Sequence, residues 1–489
     1  MKRILTIALV FALLCSLCLT VLAEDPHASH FGAIKNNYTV DGAVSGVTAN
    51  VITMEFNPNG ENGLVPLAYS GDAGSVCLLK DHVAAAEADG YEVVGAINAS
   101  FFDMNAGAPC GILVTNGKLV FAHSGRSESI ATFDADGKMN VVTSKLVFGL
   151  KINNSSYDNA IGFINKDYDS INDIAKKLKG HFQYYDINAG DLADESVAGI
   201  EIICEIKQGG YLAVGNTINA VVTEIKKDSY YGATKVTDAK QFVLFVAANE
   251  LYYNRASAMK VDNTIEISVT ESNPPAADAL KTAVSAISST YWLVKDGVDI
   301  TDTSANIIHS TSLARAWTAF GVKEDGTYVY FVSEEYGLTL KDVADEMIRL
   351  GCKNVLRLDG GGSTGMYVKG EGIVMDTPRA ICDALLIVTK RSVEANKVEI
   401  PETPESTEIP EETSQESETS EETATSEIEA VESSESVEEA EETEATEETD
   451  EGNGGIGSWI WIIIGVVLAI AGLTGYKITK NKPKNPENK

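Results

Sequence analysis

The chain has 489 residues, 44% of them hydrophobic, and a formal net charge of −33. That length allows two to four domains and a sizeable core. So acidic a chain argues against a nucleic-acid partner.

In chain order, Lys2 and Arg3 precede an apolar run from Ile4 to Leu22, and Ala23 ends a small-residue cleavage site. Residues 1–23 therefore read as a secretory signal peptide. Residues 31–393 read as an ectodomain. β-rich runs such as "EVVGAINAS", "GIEIICEI", "QFVLFVAA", "NTIEISVT" and "YVYFVSE" are bounded by Gly, Asn or Asp. Helical patterns are fewer. The clearest follows Thr339 as N-cap, with Val343, Ala344, Met347 and Ile348 on one face and Gly351 as the stop. The expected class is α+β, a sheet-rich mixed ectodomain. Cys77, Cys110, Cys204, Cys352 and Cys382 make an odd set without CxxC or zinc spacing.

Beyond the ectodomain, residues 396–453 are rich in Glu, Ser, Thr and Pro. From Glu399 to Glu451 there are 23 acidic and no basic residues, which leaves the rest of the chain at −10. Such a tract cannot bury enough apolar surface to fold, so it reads as a disordered, extended stalk. Residues 456–476 are apolar over a bilayer's width, with Trp459, Trp461 and Tyr476 placed as interfacial aromatics. They read as one transmembrane helix. Residues 477–489 carry Lys477, Lys480, Lys482 and Lys484, so this tail is expected on the cytoplasmic side and the ectodomain outside. The expected location is a cell membrane, crossed once.

One stretch carries most of the chemistry, "NVLRLDGGGSTGMYVKG". An apolar run ends in Asp359, and Gly360, Gly361 and Gly362 follow at once. Glycines lose the most freedom on folding, so a triplet there calls for an offsetting gain. Their N–H groups, with the Ser363 hydroxyl, suit an anion. The stretch lacks the lysine and spacing of a P-loop and the second glycine pattern of a dinucleotide site. A tight turn capped by Asp359 is the plain alternative.

Three more segments complete the pattern: "NASFFDMNAGAPCGILVTNG", "ARAWTAFGVKEDG" and "RAICDAL". With "GLTLKDVADEMIRLGCKNVLRLDGGGST", they resemble in order and spacing the phosphodiester glycosidase family. The family pattern runs "NGGFFD", "RTAIG…DG", "GLTL…LGC…NLDGGGSS" and "ERPV.NAL". This chain departs from it where Ala99-Ser100 replaces the glycine pair, Trp317 stands directly before "TAFG" with Arg315 two residues earlier, and Arg357 replaces the Asn before "LDGGGS".

The resemblance implies hydrolysis of a sugar-1-phosphodiester at the anomeric carbon, with a phosphorylated carbohydrate as partner. In that picture Asp359 is the leading catalytic carboxylate and Asp103 the weaker second. Gly360, Gly361, Gly362 and Ser363 cradle the phosphate, Arg315 and Arg379 bind its oxygens, Arg357 is a spare, and Asn98 bonds a sugar hydroxyl or the phosphate. Asn98 also opens an Asn-Ala-Ser glycosylation sequon. Of Phe101 and Phe102, one facing the core and one facing outward suits alternating strand faces. No metal ligand set is evident and no cofactor is required, though a calcium-type site of Asp carboxylates and loop carbonyls stays open. Nothing in the pattern sets an oligomeric state. The rival readings are a non-catalytic surface protein that binds carbohydrate or phosphate in the same pocket, and a structural wall protein without one.

Overall fold

The computed structural model describes residues 29–397 apart from 44–46, 62, 72–74, 103, 105–106, 108, 126, 167–180, 249, 289–290, 303–312, 335–336 and 376–378. The expected signal peptide, membrane helix, tail and all of the stalk beyond Lys397 lie outside the described residues. Asn396, assigned to the stalk from composition, closes the last helix and donates its N–H to Ser392 O at 3.2 Å. Among the described residues no helix is long and apolar enough to cross a membrane.

The described strands form sheets of eight, thirteen and five strands, so the sheet-rich mixed class holds. The eight-stranded sheet places Cys352–Arg357 between Thr318–Lys323 and Tyr291–Lys295. The five-stranded sheet places Val93–Asn98 between Met366–Val368 and Ala384–Thr389. The thirteen-stranded sheet is built around a long hairpin, Asp194–Gln208 with Thr217–Tyr231.

Alternation along the strands explains how the first two sheets stack. Phe320, Tyr330 and Leu356 point into a core shared with Ile97, Met366, Leu385 and Ile387 of the five-stranded sheet. Their neighbours Ala319, Val329 and Val355 point the other way, onto the helix Leu340–Arg349. Ala96, Ala384 and Leu386 likewise point onto the helix Leu79–Ala88. Period-two side chains thus serve two apolar layers at once. The result is helix, sheet, sheet, helix.

The helix after Thr339 forms for the expected reasons. Thr339 accepts from the Asp342 N–H, and the Asp342 carboxylate accepts from the Thr339 N–H at 2.8 Å, a reciprocal capping box. Val343, Ala344 and Met347 are buried. Gly351 then takes φ +90°, which ends the helix and turns the chain into Cys352–Arg357. That strand delivers Asp359 to the edge of the two-sheet core. The hairpin turns Asn116-Gly117 and Asp325-Gly326 are present, with Gly117 at φ +79° and Gly326 at φ +83°.

Candidate active site

Strands from the two sheets end at the same place. Asn98 closes one and Arg357 the other. Asn98 is 1% exposed. Its Nδ2 donates to Asp359 O at 2.6 Å, and its Oδ1 accepts from the Thr318 hydroxyl at 2.7 Å and the Gly365 N–H at 3.2 Å. The carboxamide ties three segments together. Its atoms face protein partners rather than an open pocket, so the geometry gives Asn98 a positioning role. A glycan on this buried amide would displace the bond to Asp359.

The glycine turn forms a short 3-10 helix, Gly361–Ser363. Gly361 has φ +60°, a conformation that favours glycine. A Cβ on Gly362 would lie 2.5 Å from the Arg379 guanidinium. Glycine there leaves the space in which Arg379 is seated, and Arg379 Nη1 donates to Ser363 Oγ at 3.3 Å. Four N–H groups of the turn have protein acceptors. Gly360 donates to Asp359 Oδ1 at 2.9 Å, Gly361 to Ala316 O at 2.8 Å, Ser363 to Gly360 O at 3.3 Å and Thr364 to Gly361 O at 3.2 Å. Exposed Arg379, rather than those N–H groups, is therefore the positive group this turn presents to an anion.

Burial pushes the Asp359 carboxyl above its ordinary value, while Ser363, the Gly360 N–H, Arg379 and Arg357 pull it back. A second carboxyl, fully buried, lies close by. Asp383 is 0% exposed. Its Oδ1 accepts from the Ser100 N–H at 2.8 Å and the Cys382 thiol at 3.3 Å, and its Oδ2 has no partner. Burial raises its pKa and the Asp359 charge raises it further, against the side chain and N–H of Ser100 and the Cys382 thiol. Ala99 joins the two, accepting from the Asp359 N–H at 3.1 Å and donating to Asp383 O at 3.3 Å. Asp383 is given no role by the motifs that marked the site. Its signal was the Asp of "ICDAL", at the position where the family pattern has Asn.

Arg357 is 1% exposed, and its guanidinium lies 4.9 Å from the ring centroids of Phe101 and Tyr291 and 5.9 Å from that of Trp317. Phe102 packs against the core below the five-stranded sheet while Phe101 faces Arg357, so the two rings do divide between faces. Arg315 is exposed, and its N–H donates to Leu338 O at 3.0 Å. Trp317 is buried, and its Nε1 donates to Leu338 O at 2.6 Å. Asp103 lies outside the described residues. Among the described residues no group of three His, Cys, Asp or Glu side chains is placed to hold a metal, and Cys204, Cys352 and Cys382 are free thiols.

Residues 205–390 match the phosphodiester glycosidase family. That span contains Asp359, the glycine turn, Asp383 and all three arginines, and it leaves out Asn98. Two solved structures share the fold. A hypothetical protein from Synechocystis aligns at 17% identity and a TM-score of 0.52, over 73% of this chain and 62% of that one. The chain thus spans less than two thirds of that relative. An exported protein of Burkholderia pseudomallei aligns at 18% identity and 0.51, over 71% and 75%. The catalytic domain of zebrafish N-acetylglucosamine-1-phosphodiester alpha-N-acetylglucosaminidase, auto-inhibited by its pro-peptide, aligns at 15% identity over 74% and 85%. Its TM-score of 0.38 is too low to argue from. No curated protein matches the chain.

Proposed function

We propose that this protein is a glycosidase that hydrolyses a sugar-1-phosphodiester at the anomeric carbon. The observation that carries the reading is the Asp359 carboxyl, half-buried at a strand end between Arg379 and Arg357. In its ionised form Asp359 takes a proton from water as the water oxygen bonds to the anomeric carbon. The bond from that carbon to the phosphate oxygen breaks, and the phosphomonoester leaves with the electron pair. Phosphate is a good leaving group, so its charge matters more than its protonation. Arg379 and the Ser363 hydroxyl hold that charge in this reading, with Arg315 on the facing segment. A base of this kind contributes about 10²–10⁴-fold.

The signal peptide, acidic stalk and apolar segment read from the sequence support a setting outside the cell, tethered by a single membrane helix. Cell-surface or wall glycans joined through phosphate fit that setting as substrates. One observation favours a second reading, a surface protein that binds such groups without cleaving them. Trp317, buried and bonded to Leu338 O, occupies the place directly before "TAFG" where the family pattern has arginine.

The test is sugar release from a panel of sugar-1-phosphate diesters, with Asp359→Asn alongside. Turnover that disappears in a folded Asp359→Asn protein supports the hydrolase. Binding without turnover across the panel supports the second reading.

A further inference from the structure

Arg357 is the least expected residue of the site. Buried arginines are rare unless paired. Here Nε and Nη1 are both buried without a hydrogen-bond partner. Such donors normally find an acceptor. The three rings hold the guanidinium plane by cation–π attraction, which does not answer the N–H groups along its edge. The pKa is pushed down to about 10 by burial, so the group stays charged at neutral pH.

The surroundings add positive potential. Arg315 is close enough to repel Arg357, and Asp359 close enough to attract it. The Asp359 Oδ1 already accepts from Gly360. Asp383, the fully buried carboxyl, has its Oδ1 turned to Ser100 and Cys382. Arg379 and Arg357 both act on the Asp359 carboxylate, and Arg315 lies close to Arg357, in a chain whose net charge is strongly negative. Leu358 is buried in the inter-sheet core. Arg357 and Asp359, on either side of it, face the opposite way, toward the site. Arg379 stands beyond Asp359, at the glycine turn. The outer wall over Arg357 is made by Phe101 and Tyr291, both half-buried, with ring centroids 5.4 Å apart.

Building on the glycosidase reading, we propose that Arg357 receives a carboxylate carried by the sugar itself, so that the substrate is an acidic sugar-1-phosphodiester. The phosphate sits at Arg379 and Ser363. The sugar ring lies across Asp359, and its carboxylate reaches the edge of Arg357 beside the Phe101 and Tyr291 rings, with Arg315 adding positive charge. A planar guanidinium pairs with a carboxylate through two parallel N–H groups. This gives Arg357 a role distinct from the phosphate contact at Arg379.

The test is calorimetric binding to the full-length protein of glucuronic acid 1-phosphate and glucose 1-phosphate, which differ in the carboxylate. The expected result is at least about tenfold tighter binding of the acidic sugar, the range of a charge-assisted hydrogen bond. Arg357→Met should erase that preference. Arg379→Gln should weaken both ligands alike. Equal affinities in the unaltered protein would overturn the proposal, as would a preference that survives Arg357→Met. Because the unaltered protein answers by itself, a misfolded Met variant does not spoil the test. A clear preference without turnover would leave this site standing while the hydrolase reading falls.

Discussion

Two buried charged groups in this molecule have opposite surroundings. Glu201, in the thirteen-stranded sheet, is 0% exposed, yet both of its oxygens are answered. Oε1 accepts from the Tyr185 hydroxyl and from the Thr234 N–H at 2.9 Å. Oε2 accepts from the Ser229 and Thr234 hydroxyls, each at 2.8 Å. Arg357 is buried as deeply, with two N–H groups unanswered, and Asp383 has one bare oxygen. A buried charge that the fold satisfies holds the fold together, whereas one left unsatisfied costs stability and points to a task. The candidate site gathers the second kind where two sheets end.

The largest expected effect that would break this contrast is at Asp359. Asp359→Asn should lower turnover by about 10²–10⁴-fold without unfolding the domain, read by steady-state kinetics beside a thermal melt. A variant that melts early but turns over normally would make Asp359 a turn cap. Next is Arg379→Gln, expected to reduce kcat/KM by roughly 10²–10³-fold through loss of phosphate charge stabilisation. Gly362→Ala should reproduce part of that loss, because its Cβ takes the space of the guanidinium. Normal kinetics in Gly362→Ala would detach the glycine from the arginine.

Glu201→Gln tests the other pole. It places an amide donor against groups that already donate, so stability should fall by about 1–3 kcal/mol in denaturant unfolding, with kcat/KM of the folded protein unchanged. The smallest effect is expected at Asp383. Burial and the Asp359 charge raise its pKa, so the folded state holds this proton more tightly than the unfolded chain does. That contribution favours folding at low pH and is lost as pH rises from the ordinary carboxylate range through the raised value. Asp383→Asn keeps the Oδ1 acceptor and removes that slope. Melting temperatures measured from about pH 4 upward should show the variant gaining on the unaltered protein as pH rises. Parallel curves would mean that Asp383 is not a raised carboxyl.

Much of the fold was legible because it is local. Thr339 as the cap and Gly351 as the stop of one helix each follow from short-range backbone chemistry. Alternating apolar runs marked the strands but not which sheet they join, since every pairing around Asn98 spans hundreds of residues. The site was legible as a motif and less so as geometry. Asp359 and Arg379 come together in the folded chain. The glycines have a second reason that no local reading contains: Gly362 seats an arginine from seventeen residues on. Asn98 looked like a ligand group because its role depends on Thr318, Asp359 and Gly365 arriving from elsewhere. Asp383 was missed because one Asp before a strand is unremarkable until its burial is known.

The central claim is cleavage at the anomeric carbon, and it is tested most directly by hydrolysing a sugar-1-phosphodiester in heavy-oxygen water and weighing the products. The account predicts heavy oxygen in the released sugar and none in the phosphomonoester. Heavy oxygen in the phosphate would show attack at phosphorus and contradict it, and so would the absence of any product from a protein that binds the substrate.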